Sequence, residues 1–338
     1  MEIDLRKRNF IGLKDFSEKE ILYLIDLAEK FKNLKKKRKL HKYLEGQNII
    51  LLFEETSTRT RTSFEIAAAD LGISTSLINY KTGLGENESI EDTILVFNRY
   101  YDGIVYRGHE QELLEKLVKI TDVPIYNAMT DMFHPSQMIS DMLTIREKFG
   151  YLRGLKLAYL GYPGDIMPNS LAITCSKLGI DFVGCGPREF FPDEDLVNLS
   201  RKFSGKYDSD VIYTEDIREA VVDADIIYTD MWISLTEKNK PPISRIRKLY
   251  PYRVDEKVMA MCDKDAIFMH CLPAFHDHKS NLAKKVISKL PDDMKKWDFS
   301  GMEVADSVFR SEKSMVFDQT ENRIPAVKAI LYSTLRYD

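Results

Sequence analysis

The sequence is poor in features that would tie it to a membrane, a nucleic acid or an oxidising compartment. Its four cysteines, Cys175, Cys185, Cys262 and Cys271, are scattered along 338 residues with no framework spacing. That pattern suits reduced thiols rather than a disulfide-stapled fold. No apolar run reaches the length that spans a bilayer. The first residues, Met1-Glu2-Ile3-Asp4, lack the apolar core of a signal peptide, and the expectation is a cytosolic protein. A net charge of -4 gives no general attraction to nucleic acid or anionic lipid. The one basic run, Lys35-Lys36-Lys37-Arg38-Lys39, follows a predicted helix and reads as a solvated linker. Internal repeats and low-complexity segments are absent, as is a G-x-G-x-x-G fingerprint, which disfavours a nicotinamide cofactor.

What is present describes a soluble globular protein, with 44% hydrophobic and 30% charged residues. The length suits two domains, each with its own core. Ser17-Glu18-Lys19-Glu20 has the spacing of a capping box, and Ile21, Leu24, Ile25, Ala28 and Phe31 follow at helical spacing. The apolar run 49–53 reads as a buried strand, and Phe64, Ala67, Ala68 and Leu71 continue as a helix closed by Gly72. Further strands are expected at 75–79, 103–106 and 123–126, with helices at 89–101 and 110–119. Pro135 suits the first position of a helix running through Met142, Ile145 and Phe149. A second alternating series begins at Lys156, with strands expected at 156–160, 181–184, 211–213, 226–229 and 266–269 and a last helix at 326–335. Strands alternating with helices predict an α/β protein of two doubly wound parallel sheets, with ligands at the strands' C-terminal ends.

Three stretches carry chemistry. The joint of the first strand and helix holds Ser57, Thr58, Arg59, Thr60 and Arg61. Backbone N–H groups at a helix start, with hydroxyls and guanidinium forks, make an anion cradle that needs neither a glycine loop nor a metal. The alternative is a solvated basic loop. Arg107, ending a later strand, and His134-Pro135-Ser136-Gln137, opening a helix, add polar groups, although a histidine in that place also serves as a structural cap. The third stretch is His270-Cys271-Leu272-Pro273-Ala274-Phe275-His276-Asp277. It admits a buried structural cysteine, a reactive thiol, or a metal site with His276 and His278; no zinc spacing supports the metal, and alternation along a strand parts His270 from Cys271.

Taken together, STRTR, HPxQ, HCLPAFHD and the Glu321-Asn322-Arg323 element resemble the aspartate/ornithine carbamoyltransferase family, in the right order over nearly the full length. The resemblance implies two domains joined by helices, with the active site in the cleft between them. Residues 1–150, with 318–338 packing back, would bind carbamoyl phosphate, and 151–317 the amino acid. It implies that Ser57, Thr58, Arg59 and Thr60 hold the phosphate, that Arg107, His134 and Gln137 hold the carbamoyl group, and that Arg323 neutralises charge. Cys271 and the Leu272 backbone join the carbamoyl-phosphate set and receive the reacting amine, and Asp230, Ser234 and Leu235 bind the amino acid. Arg107, His134, Cys271 and Asp230 would be catalytic, with no metal or cofactor. Partners would be the small-molecule substrates alone, and the assembly a homotrimer or a multiple of trimers.

Three positions depart from the pattern. Thr236 stands for a glycine in the amino-acid loop, and Gly83 for a glutamine that reaches the neighbouring subunit. Ile166 replaces an asparagine held against the substrate's α-carboxylate, with Asn169 a nearby substitute. These departures leave the phosphate half intact and bear on the second substrate. The leading expectation is transfer to ornithine; another amine such as putrescine is the alternative, and a non-catalytic carbamoyl-phosphate-binding paralogue is a third reading.

Overall fold

The computed structural model describes residues 3–39, 41–54, 57–79, 88–233 and 242–336. It divides into two compact units, Met1–Tyr151 with Thr320–Asp338, and Leu152–Gln319.

In the first unit the order is α1 (Glu18–Lys36), β1 (Asn48–Phe53), α2 (Arg59–Leu71), β2 (Ser74–Asn79), α3 (Ile90–Tyr100), β3 (Gly103–Arg107), α4 (Gln111–Leu117), β4 (Ile125–Asn127) and α5 (Pro135–Phe149). The Ser17 capping box is formed in full, with Ser17 accepting from the Glu20 N–H and Glu20 reaching back. It satisfies two of the donors that a helix start leaves without intrahelical partners. The described strands pair in parallel in the order β2-β1-β3-β4. Phe53 pairs with Arg107, so β1 and β3 end at the same rim.

Among the boundaries that differ from the sequence reading, two have a plain local cause. Helix α2 begins at Arg59 rather than after the cradle residues. Thr60 is buried and lies four positions before Phe64, so the apolar stripe extends one turn further back. Strand β4 starts at Ile125, past Pro124, whose missing N–H cannot join a ladder.

The second unit contains β5 (Lys156–Leu160), α6 (Ile166–Leu178), β6 (Asp181–Cys185), α7 (Glu194–Tyr207), β7 (Val211–Thr214), α8 (Ile217–Val221), β8 (Ile226–Thr229), α9 (Ile243–Leu249), α10 (Glu256–Met261), β9 (Ile267–His270), α11 (Asn281–Ser288), α12 (Asp306–Phe309) and the larger part of α13 (Val316–Glu321), whose Thr320 and Glu321 count with the first unit. Its described strands pair in parallel in the order β7-β6-β5-β8-β9. The apolar side chains of β5, β8 and β9 fill the core between sheet and helices. Burial on both faces explains why these strands read as continuous apolar runs. At the end of β5, Gly161 has φ +139°, and an added Cβ would stand 3.3 Å from the Trp232 indole nitrogen. Only glycine suits that turn.

The chain returns to the first unit as α14 (Arg323–Leu335), which packs against α1, α2 and α5. Its Lys328 is fully buried, and its Nζ meets the Asp70 carboxylate on α2 and lies 3.0 Å from His41 Nε2. A buried ammonium needs such partners, because desolvation penalises its charge.

Candidate active site

On the first unit, three elements converge on one hydroxyl. Arg107, the last residue of β3, donates from Nη1 to Thr60 Oγ1 at 3.1 Å and to the Ala128 carbonyl at 3.3 Å. Arg323, the first residue of α14, donates from Nη2 to the same Thr60 Oγ1 at 2.6 Å. A hydroxyl that accepts twice keeps its own O–H to donate. Thr60 thus spaces two guanidinium groups without neutralising them, and leaves a donor for an anion. Ser57 and Thr58 precede the first turn of α2, and Arg59 lies in it. Arg61, by contrast, is exposed and pairs with Glu65 at 2.8 Å along the helix, a surface contact.

His134 caps α5 and is buried. Its Nδ1 lies 3.4 Å from Ser136 Oγ. Burial first, then the Arg323 and Arg107 cations, hold its pKa well below the usual histidine value. The ring is therefore neutral at physiological pH and can donate a hydrogen bond without adding a third positive charge to those of Arg323 and Arg107. Gln137, one turn into α5, is 1% exposed and donates from Nε2 to Asp141 at 2.7 Å. Its Oε1 has no partner among the described residues. That acceptor suits an –NH2 group. A loop ordered by Asn127, which donates to the Ile11 carbonyl and accepts from the Met129 N–H, carries His134 into place.

On the second unit the chemistry follows from sheet register. Thr229 pairs with His270, so the next residues, Asp230 and Cys271, leave adjacent strands side by side. Cys271 Sγ donates to Asp230 Oδ1 at 3.2 Å, and the Met231 N–H donates to the same oxygen at 2.7 Å. Burial raises the Asp230 pKa above the ordinary carboxylate range, against the smaller opposing pull of His270 and the two hydrogen bonds. Leu272 follows in the left-handed region, φ 57°, and its peptide to Pro273 is cis. A left-handed non-glycine residue costs roughly 1–2 kcal/mol, and surrounding contacts hold it. His270 Nδ1 accepts from the Leu272 N–H at 2.9 Å, and its Nε2 faces Glu303 Oε1 at 3.4 Å. His270 and Glu303 are completely buried. Gln319 accepts from the His270 N–H and donates to the Tyr228 hydroxyl.

Glu303 and Gln319 escaped the sequence reading. The available signal was a lone acid in the apolar stretch Met302-Glu303-Val304-Ala305, since such a residue is buried only with partners.

Strand alternation does not keep the ligand-type atoms of His270 and Cys271 apart, contrary to expectation. Asp230, His270 and Cys271 do bring ligand-type atoms within 4.8 Å, because Cys271 lies past the end of β9. The His270 ring is nevertheless committed to holding the Leu272 turn. In the second such cluster, His276 Nδ1 lies 2.6 Å from Asp306 and stacks on Phe309, while Arg310 pairs with Asp306 and Asp277. Its charge is already answered.

Ile166 opens α6 and is half-buried; its N–H donates to the Asp165 carboxylate at 2.8 Å. Asn169 donates from Nδ2 to the Gly164 carbonyl at 3.2 Å, and its Oδ1 has no partner among the described residues. The sequence reading sought a donor there; the atom left over is an acceptor. Ser234, Leu235, Thr236 and Gly83 lie outside the described residues.

One parallel-sheet unit thus carries two guanidinium groups on a shared hydroxyl together with a neutral imidazole, a set suited to an anion, and the other carries a thiol–carboxylate pair. Family models match both units. Residues 8–147 match the carbamoyl-P binding domain of aspartate/ornithine carbamoyltransferase, and 153–334 match its Asp/Orn binding domain. The chain belongs to the aspartate/ornithine carbamoyltransferase family.

Its relatives include the catabolic ornithine carbamoyltransferase of Treponema denticola, 46% identical over 98% of this chain and 96% of that protein. The corresponding protein of Bacillus licheniformis is 42% identical over 98% of both. Among solved structures, the ornithine carbamoyltransferase of Pyrococcus furiosus superposes with a TM-score of 0.88 at 34% identity, covering 99% of each chain.

Proposed function

We propose that this protein transfers the carbamoyl group of carbamoyl phosphate to the side-chain amine of L-ornithine, giving citrulline and phosphate. The observation that carries the reading is the convergence of Arg107 and Arg323 on Thr60 beside neutral His134. In this reading Ser57, Thr58, Arg59, Thr60 and Arg323 take the phosphate. Arg107 and His134 take the carbamoyl oxygen, and Gln137 Oε1 accepts from the carbamoyl –NH2. The neutral amine attacks the carbamoyl carbon and a C–N bond forms. Electrons move onto the oxygen, where Arg107 and His134 donate to the developing oxyanion. The intermediate then collapses with cleavage of the C–O bond to phosphate, which leaves with its electron pair into the cradle. The amine proton passes to Asp230, whose raised pKa suits a proton acceptor, with Cys271 fixing that carboxylate.

The assembly is proposed as a trimer or a multiple of trimers, as the family resemblance implies, and its place as the cytoplasm, as the scattered cysteines suggest. Leu95, Val96 and Tyr100 on α3, and Leu77 on the edge strand β2, expose apolar surface of the kind a subunit contact covers. No helix among the described residues is long and apolar enough to cross a membrane. The test is citrulline formation from carbamoyl phosphate and ornithine, with light scattering for the assembly. An inactive parent protein that still binds carbamoyl phosphate would instead support a non-catalytic role.

A further inference from the structure

The second-substrate half of the site is rich in acceptors and poor in donors at the start of α6. That position follows β5, the strand between β6 and β8, so it shares a sheet rim with Asp230. A helix N-terminus ordinarily offers backbone N–H groups to a carboxylate. Here the Ile166 N–H is taken by the Asp165 carboxylate and Pro168 has none, so of these first three residues only Met167 brings a backbone N–H to the helix start, and the Ile166 side chain is apolar. The Asp165 carboxylate itself stands at the cap and repels a second one.

Asn169, one turn in, is 7% exposed. Helical side chains lean toward the N-terminus, and its contact with the Gly164 carbonyl shows that this one does. A carbonyl oxygen only accepts, so the nitrogen must face Gly164, and the unpartnered buried atom is the oxygen.

From this geometry we infer that Asn169 is a specificity-determining residue, its Oδ1 accepting from the second substrate's α-ammonium group. In this site the α-carboxylate is read weakly, and a diamine serves as an alternative carbamoyl acceptor. The inference rests on the carbamoyl-transfer reading above. With a diamine the same bonds change: C–N forms, the carbamoyl C–O bond breaks, phosphate leaves, and the amine proton goes to Asp230.

The test compares kcat/KM for ornithine, 1,4-diaminobutane, which lacks the carboxylate, and 5-aminopentanoate, which lacks the α-amine. The expected result is that the parent protein carbamoylates the diamine at least about tenfold better than 5-aminopentanoate. Asn169→Leu should raise KM for ornithine and diamine about tenfold, with kcat, the KM for carbamoyl phosphate and the 5-aminopentanoate rate little changed. Ile166→Asn, which supplies a side-chain donor, should raise the ornithine-to-diamine preference. Equal or better use of 5-aminopentanoate, or an Asn169→Leu penalty spread equally over all three amines, would overturn the inference while leaving ornithine transfer intact. A parent protein that turns over none of the amines would instead remove the reading beneath it.

Discussion

The two units solve opposite electrostatic problems. The first unit gathers Arg107, Arg323 and His134 and must keep cations close together. It does so with a neutral spacer, the Thr60 hydroxyl, and by keeping the imidazole uncharged. The second unit gathers half-buried Asp230 and Cys271 and fully buried Glu303, and must hold these acidic groups largely away from water. It shares Asp230 between a thiol and a backbone N–H, and sets Glu303 against His270. In the proposed reaction the first unit would receive the anion, and the second the amine and its proton.

The largest expected effect breaks the cationic half. Arg107→Ala removes a donor to the developing oxyanion, and kcat/KM should fall by about 10²–10³ or more, measured by steady-state citrulline formation. Retained activity would show that Arg107 only buttresses Thr60 and Ala128. Next, Cys271→Ala on the acidic half should lower kcat by at least about tenfold, since Asp230 loses one of its two hydrogen bonds. Thiol alkylation should inactivate the parent protein, and bound substrates should protect it. An unchanged kcat in the alanine variant would mark the thiol as structural.

The pH dependence separates the halves. The depressed pKa of His134 means that the folded state holds neutral imidazole while the unfolded state protonates near the ordinary histidine value of about 6.5. Its contribution to stability is therefore full above that pH and is lost as pH falls toward the folded pKa. Thermal melts of the parent protein should drop on acidification below about pH 6.5, and His134→Asn should lessen that drop. A melt curve unaffected by the replacement would contradict a buried neutral ring. The smallest effect belongs to Arg61→Ala, which removes an exposed ion pair with Glu65 and should change stability by about 0.2–1 kcal/mol. A large loss of activity there would show that the phosphate site extends along α2.

Much of this arrangement was legible in the sequence because local signals and global fold agree. The Ser17 capping box, the apolar runs of β1 and β5, and Pro135 at the start of α5 each act through neighbouring residues. Sites that depend on distant partners were less legible. Thr60 as a shared acceptor needs Arg323, far along the chain, and nothing near either residue announces the other. Glu303 acts through His270, and its own neighbours carry no motif. Asn169 was visible as a candidate, but which amide atom it offers depends on Gly164 accepting from its nitrogen. The period of a strand also misled once, at Cys271, because alternation ends where the strand does.

The division of labour between the halves is tested most directly by calorimetric titration of carbamoyl phosphate into the parent protein, Thr60→Val and Asp230→Asn. Thr60→Val keeps the side-chain shape, removes the shared acceptor and leaves two guanidinium groups without it. The account predicts at least about tenfold weaker binding in that variant, and parent-like affinity in Asp230→Asn. Parent-like affinity in Thr60→Val, or equal weakening in both variants, would contradict it.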